Sequence, residues 1–284
     1  MAKRFTRRSA LKTLAWTAGG AAAVGLYTWR VEPHWLEITH RDLPVAGLPQ
    51  ALDGKTLAQL SDLHVGPKVA DDYIVHTFRR VADLAPDFVV FTGDWITYRS
   101  YAQFEQLRRV LEQFPHGRLA TVGILGNHDY GFNWRMTSVA DEVAKIVQAA
   151  GVTLLRNDAA SFCGLQFIGM DDLWSPRFGP EALLAAYSAD TSTIALCHNP
   201  DAADLTLWGR YHGWILSGHT HGGQCKPPFL PPPLLPVLNR RYTSGEFDLS
   251  GDRKLFINRG VGHLLRVRFN CRPEVALFRL RRSG

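Results

Sequence analysis

Apolar positions along this chain follow two rhythms. Short β-branched runs at Thr56–Leu60, Phe88–Thr92, 119–125, Thr193–Leu196 and 213–216 read as buried strands. Between them the spacing becomes helical. Ile74, Val75, Phe78 and Val81 share one face of a helix predicted over 71–84, which Pro86 closes. Phe104, Leu107, Val110 and Leu111 repeat the pattern over 101–114. Val143 and Val147 do so over 141–150, with Gly151 as the stop. Shorter helices are predicted at 180–187 and 201–208. After Gly245 the rhythm returns to strands, at 246–249, 254–257, 264–269 and 275–280. No internal repeat interrupts the series, and the order predicts an α/β sandwich.

Each of the first five strands runs into a short polar word. They read Asp62-Leu63-His64, Gly93-Asp94, Gly126-Asn127-His128-Asp129, Cys197-His198-Asn199 and Gly218-His219-Thr220-His221. Strands aligned in a sheet deliver the loops at their C-terminal ends to a common edge. Carboxylate, amide and imidazole donors from five strand ends can therefore meet at one point. That mixture suits divalent transition metals such as Mn, Fe or Zn. On an extended segment His219 and His221 would point the same way, because side chains alternate with a period of two. Thr220 would face away, and His128 would turn from any cation that Asn127 holds.

The words D-x-H, G-D, G-N-H-D, a lone H and G-H-T-H resemble the signature of calcineurin-like metallophosphoesterases. The resemblance spans Asp62 to His221 and extends toward Glu274. It implies a four-layer α/β sandwich of two mixed β-sheets flanked by helices. It also implies a hydrolase in which two divalent metal ions activate a water that attacks phosphorus. Asp94 would bridge the two ions. Asp62, His64 and His221 would complete one site, and Asn127, His198 and His219 the other. His128 would act on the leaving oxygen, with Asp129 as the partner that orients it.

Composition bounds the rest. Hydrophobic content of 46% with 20% charged residues excludes a disordered chain. The net charge of +6 fits an anionic substrate, an anionic lipid or nucleic acid, and equally a solvated basic surface. No nucleic-acid partner is expected. Four cysteines, Cys163, Cys197, Cys225 and Cys271, show no C-x-x-C spacing; most read as buried, inert thiols. His34, His40, His76, His116, His212 and His263 fall outside the motifs and read as surface or packing residues.

Residues 1–30 form a leader and 31–284 the catalytic domain. The leader pairs Arg7 with Arg8 ahead of a mildly apolar stretch from Leu14 to Trp29, and resembles a bacterial twin-arginine export signal. An uncleaved anchor is the alternative, and Ala21-Ala22-Ala23 offers a cleavage site. In both cases Lys3, Arg4, Arg7, Arg8 and Lys12 stay in the cytoplasm and the enzyme lies outside, periplasmic or on the envelope. The twin-arginine export machinery is then a partner.

Residues 227–238 carry the prolines of a loop, which would present Phe229, Leu230, Leu234 and Leu235 near the metals, toward lipid or as an inward flap. Arg259 could grip a phosphate or form a structural ion pair. Three readings follow: an exported phosphodiesterase or phosphatase acting on a phosphoester, lipid-linked or not; a UDP-2,3-diacylglucosamine pyrophosphatase of lipid A synthesis; and a non-catalytic scaffold like the retromer subunit of the same fold. No ligand is missing, which disfavours the last.

Overall fold

The apolar runs assemble into two stacked sheets, and the computed structural model describes residues 6–283. The first is six-stranded, in the order β1 (Glu37–Ala46), β12 (Glu274–Ser283), β2 (Thr56–Leu60), β3 (Phe88–Thr92), β4 (Ala120–Ile124) and β5 (Thr153–Leu154). Only β12 and β2 run antiparallel within it. The second, also six-stranded, has the order β10 (Gly245–Asp248), β11 (Arg253–Ile257), β9 (Gly213–Ser217), β8 (Thr193–Leu196), β7 (Leu165–Gly169) and β6 (Asp158–Phe162). Its two edge pairs are antiparallel and its centre is parallel.

Strands covered on both faces are mostly apolar, and β2, β3, β4 and β8 are buried along almost their whole length, with the buried Gln59 side chain donating to Thr92 and to the Ser217 carbonyl. Phe88, Val90, Ile124, Ile194, Leu216 and Phe278 fill the layer between the sheets. The opposite face of the first sheet is covered by α2 (Asp71–Asp83), α3 (Ala102–Leu111) and α4 (Thr137–Ala149). The outer face of the second is covered more thinly, by α5 (Glu181–Ala185) and short turns around Trp208 and Tyr211. The architecture is the expected four-layer sandwich.

Two predicted elements differ. Residues 201–208 form two 3-10 turns, Pro200–Asp204 and Thr206–Trp208, because Leu205 between them is extended (ψ 153°). Residues 264–269 form no strand. Arg268 points inward, fully buried, and its guanidinium donates to the carbonyls of Arg259, Gly260, Gly262 and Cys271, while Leu265 and Val267 face out. Satisfying one buried cation with carbonyls reverses the face that the apolar residues would have chosen.

The N-terminal segment forms α1 (Arg7–Leu26), with no buried residue, and the helical path continues through Tyr27–Val31 and Glu32–His34. Its base joins the domain. The Arg268 N–H donates to the Thr28 carbonyl at 3.0 Å, and the Cys271 N–H donates to the buried Glu32 carboxylate at 2.5 Å. Among the described residues no helix is long and apolar enough to cross a membrane. Lys3 and Arg4 lie outside the described residues.

Phe278 of β12 and Phe256 of β11 meet edge-to-face across the two sheets, 5.0 Å between centroids. Phe278→Ala leaves a void where neither sheet can collapse, and should lower unfolding free energy by about 3–5 kcal/mol. Urea unfolding followed by tryptophan fluorescence measures it; a loss below about 1 kcal/mol would mean that the inter-sheet layer relaxes freely.

Candidate active site

The C-terminal ends of β2, β3, β4, β8 and β9 bring every one of the donors named above to one buried place. Asp62, His64, Asp94, Asn127, His198, His219 and His221 are all at most 4% exposed. Three donor groups have their ligand atoms within 4.8 Å of one another: Asp62 with His64 and His221, Asp94 with His198 and His219, and Asp94 with His64 and His128. Asp94 belongs to two of them. Its Oδ2 lies 3.5 Å from His64 Nε2 and 3.2 Å from His198 Nε2, so one carboxylate oxygen sits between the two imidazole sets.

The rings are held from behind. His64 Nδ1 lies 3.0 Å from Thr97 Oγ1, His198 Nδ1 2.6 Å from the Thr92 carbonyl and His219 Nε2 2.8 Å from the Pro236 carbonyl. Each outer nitrogen donates its proton there, which leaves the inner nitrogen as an acceptor. His221 differs, with its Nδ1 buried and without a partner. The inner nitrogens of His64 and His221 then face each other at 2.9 Å, and those of His219 and His198 at 3.3 Å. Paired lone pairs repel unless a cation lies between them. The donor set therefore fits two divalent cations.

Burial and charge act together. Burial pushes the Asp62 carboxyl up to about 7. Burial opposes the charged form of His198, but Asp94, Asp62 and Asp172 around it carry it up to about 10, and a cation on its inner nitrogen would take the place of that proton. His219 is brought down to about 3 by burial and by His198. Asp94 is held well below the carboxylate range: His198, His128 and His64 outweigh its burial.

The backbone is strained where the donors sit. Asp62, His64, Asp94, His219 and His221 have φ between +49° and +72°, a conformation that costs on the order of 1–3 kcal/mol per non-glycine residue. This corrects the extended reading of 219–221. His219 reaches the site from a left-handed position, Thr220 is helical, and His221 opens a 3-10 turn. Thr220 is not idle either. It is buried, accepts the Gly222 N–H and donates to the Thr243 carbonyl. Gly93, at φ +96°, has no room for a side chain, since a Cβ would come within 2.7 Å of His198 Nδ1.

His128 and Asp129 also depart from the expectation. They lie in a 3-10 turn, Asn127–Tyr130, and not on extended backbone. The His128 N–H donates to Asp94 Oδ1 at 2.8 Å, and its ring stands edge-on to His64 at 5.0 Å. Asp129 does not touch the His128 ring. Its carboxylate accepts the N–H groups of Asp94, Ile96 and Gly126, tying the second and third loops together.

A cavity of about 630 Å³ opens above the centre. Asp94, His128 and His221 lie at its floor, and Trp174, Leu234 and Leu265 are among its walls. Trp174 meets the His219 ring edge-on at 4.6 Å and stacks on Trp134 at 4.6 Å. The sequence pattern missed both tryptophans, which follow no periodic run. In the proline loop Phe229, Leu230 and Leu234 are exposed, whereas Leu235 is buried. Arg259 pairs with Glu274 at 3.1 Å and Glu37 at 2.8 Å and is structural. All four cysteines are free; Cys197 and Cys271 are buried, but Cys163 is exposed and Cys225 partly so, against the expectation for most of them. His263 is buried in packing against His34.

Donors of this chemistry at the shared edge of two mixed sheets characterise metal-dependent phosphoester hydrolases. The chain belongs to the calcineurin-like phosphoesterases, whose family profile matches residues 55–223. It is 32% identical to the metallophosphoesterase YkuE of Bacillus subtilis, over 99% of this chain and 100% of that protein. It is 31% identical to the phosphodiesterase YaeI of Escherichia coli, over 97% and 99%. To the UDP-2,3-diacylglucosamine pyrophosphatase LpxG of Chlamydia trachomatis it is 27% identical, over 91% and 94%.

Asp94→Asn removes the charge from the oxygen shared by both imidazole sets, and should lose both metal equivalents together with activity. His128→Gln should retain the metals and lose turnover by about 10²–10⁴-fold. Metal analysis of the purified variants checks both. Two retained equivalents in Asp94→Asn would exclude it as the shared ligand, and matched loss in His128→Gln would make that residue a ligand.

Proposed function

We propose that this hydrolase cleaves a phosphoester carrying an apolar arm, at or outside the cytoplasmic membrane. One observation carries the reading: the donor cluster forms the floor of a cavity whose walls are tryptophan, leucine and proline. Such walls fit a hydrocarbon better than a sugar or free phosphate. Two cations held there would clamp the phosphoryl group and activate a water between them.

The chain's residues divide the work. Asp62, His64 and His221 would hold one cation and Asn127, His198 and His219 the other, with the Asp94 carboxylate placed between the two sets. Thr97, Thr92 and Pro236 fix the rings. His128, on the rim of the cluster and within reach of solvent, faces the oxygen that departs and stabilises or protonates it. Asp129 keeps His128 in place indirectly, by holding the backbone of the loops that carry Asp94 and Asn127.

The membrane side of the reading is supported by one run of contacts. Gln224 donates to the carbonyls of Leu265 and Val267, and Arg268 in the same segment donates to Thr28. The cavity mouth is thus linked to the base of the leader, where Trp29 lies between Arg30 and Arg266. Phe229, Leu230 and Leu238, in the same proline loop as the wall residues Leu234 and Leu235, are exposed. The leader delivers the protein by a twin-arginine route. A second reading, cleavage of UDP-2,3-diacylglucosamine, is favoured by the same cavity and by the similarity to LpxG. The leader argues against it, since it directs the domain outward.

Protein reloaded with Mn, Fe or Zn tests the substrate. Octyl p-nitrophenyl phosphate should be cleaved with kcat/KM at least about tenfold above the methyl ester, because each buried methylene contributes about 0.8 kcal/mol. UDP-2,3-diacylglucosamine run in parallel separates the two readings. Equal rates on the octyl and methyl esters would contradict an apolar arm. For location, Arg7→Lys with Arg8→Lys should hold the protein in the cytoplasm of a host with twin-arginine transport, as cell fractionation shows. Unchanged export would point to another route.

A further inference from the structure

A second cavity, of about 300 Å³, lies on the far side of His128. The two cavities share His128, Trp134 and Leu264, and Asp94, His219 and His221 line only the larger one. His128 therefore stands in the partition, with the donor cluster and the apolar walls on one side. The other side has a different character. Lys68 and Arg99 line it, with Tyr98 and Asn133. Neither cation forms an ion pair among the described residues.

The partition is built at a conformational cost. Gly131 adopts φ +67° with ψ −145°, a region open to glycine alone, and Asn133 and Trp134 follow at φ +53° and +59°. Two consecutive left-handed residues place the Trp134 indole where it stacks on Trp174 and meets His128 edge-on at 6.4 Å. Strain of this kind persists only where surrounding contacts impose it, and here it separates an apolar chamber from a basic one.

We propose that the basic chamber is a subsite for an oxyanion, phosphate or carboxylate, on the arm that departs from phosphorus. The inference rests on the placement of His128 at the departing oxygen. Hydrolysis forms one P–O bond from water and breaks the P–O bond to the departing arm. That arm's oxygen gains a proton and the phosphate retains the other arm. An arm leaving past His128 enters the chamber of Lys68 and Arg99, while the apolar arm stays with the phosphate in the larger chamber. The substrate class is thus an amphipathic diester with dissimilar ends: hydrocarbon on the retained side, anion on the departing side.

Two matched esters test this on the Mn-loaded full chain. Octyl 4-carboxyphenyl phosphate and octyl 4-carbamoylphenyl phosphate differ in charge on the departing phenol and little in its leaving ability. The wild type should favour the carboxylate by about tenfold in kcat/KM at low salt, mainly through KM, and less so at high salt. Lys68→Ala with Arg99→Ala should bring the ratio to about one, and Arg99→Lys should restore much of it. A wild-type ratio near one, a ratio that survives in the double variant, or equal losses on both esters would overturn the subsite. An aryl phosphonate on the phenol, in place of the carboxylate, distinguishes a phosphate-selective chamber from a general anion site. The same charge ratio is measured on the methyl esters. Loss of the octyl preference there overturns the apolar-arm reading, while the subsite is still judged by its own ratio.

Discussion

The fold depends on one electrostatic constraint: acceptor lone pairs of four imidazoles and two carboxylates are buried facing one another. Asp94 is at the centre, its Oδ2 between His64 and His198. Such a cluster is unfavourable by itself, and the sandwich spends structure to hold it. Five donors occupy left-handed backbone positions. Thr92, Thr97 and Pro236 fix three rings by their outer nitrogens. Asp129 binds three backbone N–H groups that keep two loops in register. Cations bound there would offset the repulsion between the facing lone pairs.

Much of this was legible in the sequence, and the physical reason is locality. Most of the buried parallel strands announced themselves as largely apolar runs, and β2, β3 and β8 fall on the predicted residues, whereas β7, Leu165–Gly169, was not predicted. Every donor lay within a few residues of a strand end, so topology alone could gather them. β1 was not legible, since Glu37–Ala46 carries charges and Pro44 and is an edge strand defined by pairing with β12 at the other end of the chain. The 264–269 segment misled because its inward residue is Arg268, satisfied by four carbonyls that no local pattern reveals. The conformation of His219 and His221 was hidden for a similar reason. Periodicity assumes regular backbone, and metal-site loops abandon it.

The site's surroundings were the least legible part. Trp134 lines both cavities and Trp174, stacked on it, lines the larger one, yet neither belongs to a motif or a periodic face. They are placed by tertiary contacts and by Gly131, whose backbone only glycine adopts readily. The donor words thus define the reaction class, and the residues between them define what the reaction acts upon. That division also explains how proteins with the same donor words can take different esters.

Anomalous scattering from a crystal grown with Mn tests the central claim most directly. The expected result is two peaks about 3.5–4 Å apart, with the Asp94 carboxylate touching both, His64 and His221 on one and His198 and His219 on the other. A single peak, or two peaks with Asp94 bound to only one, would contradict a centre organised around that shared carboxylate.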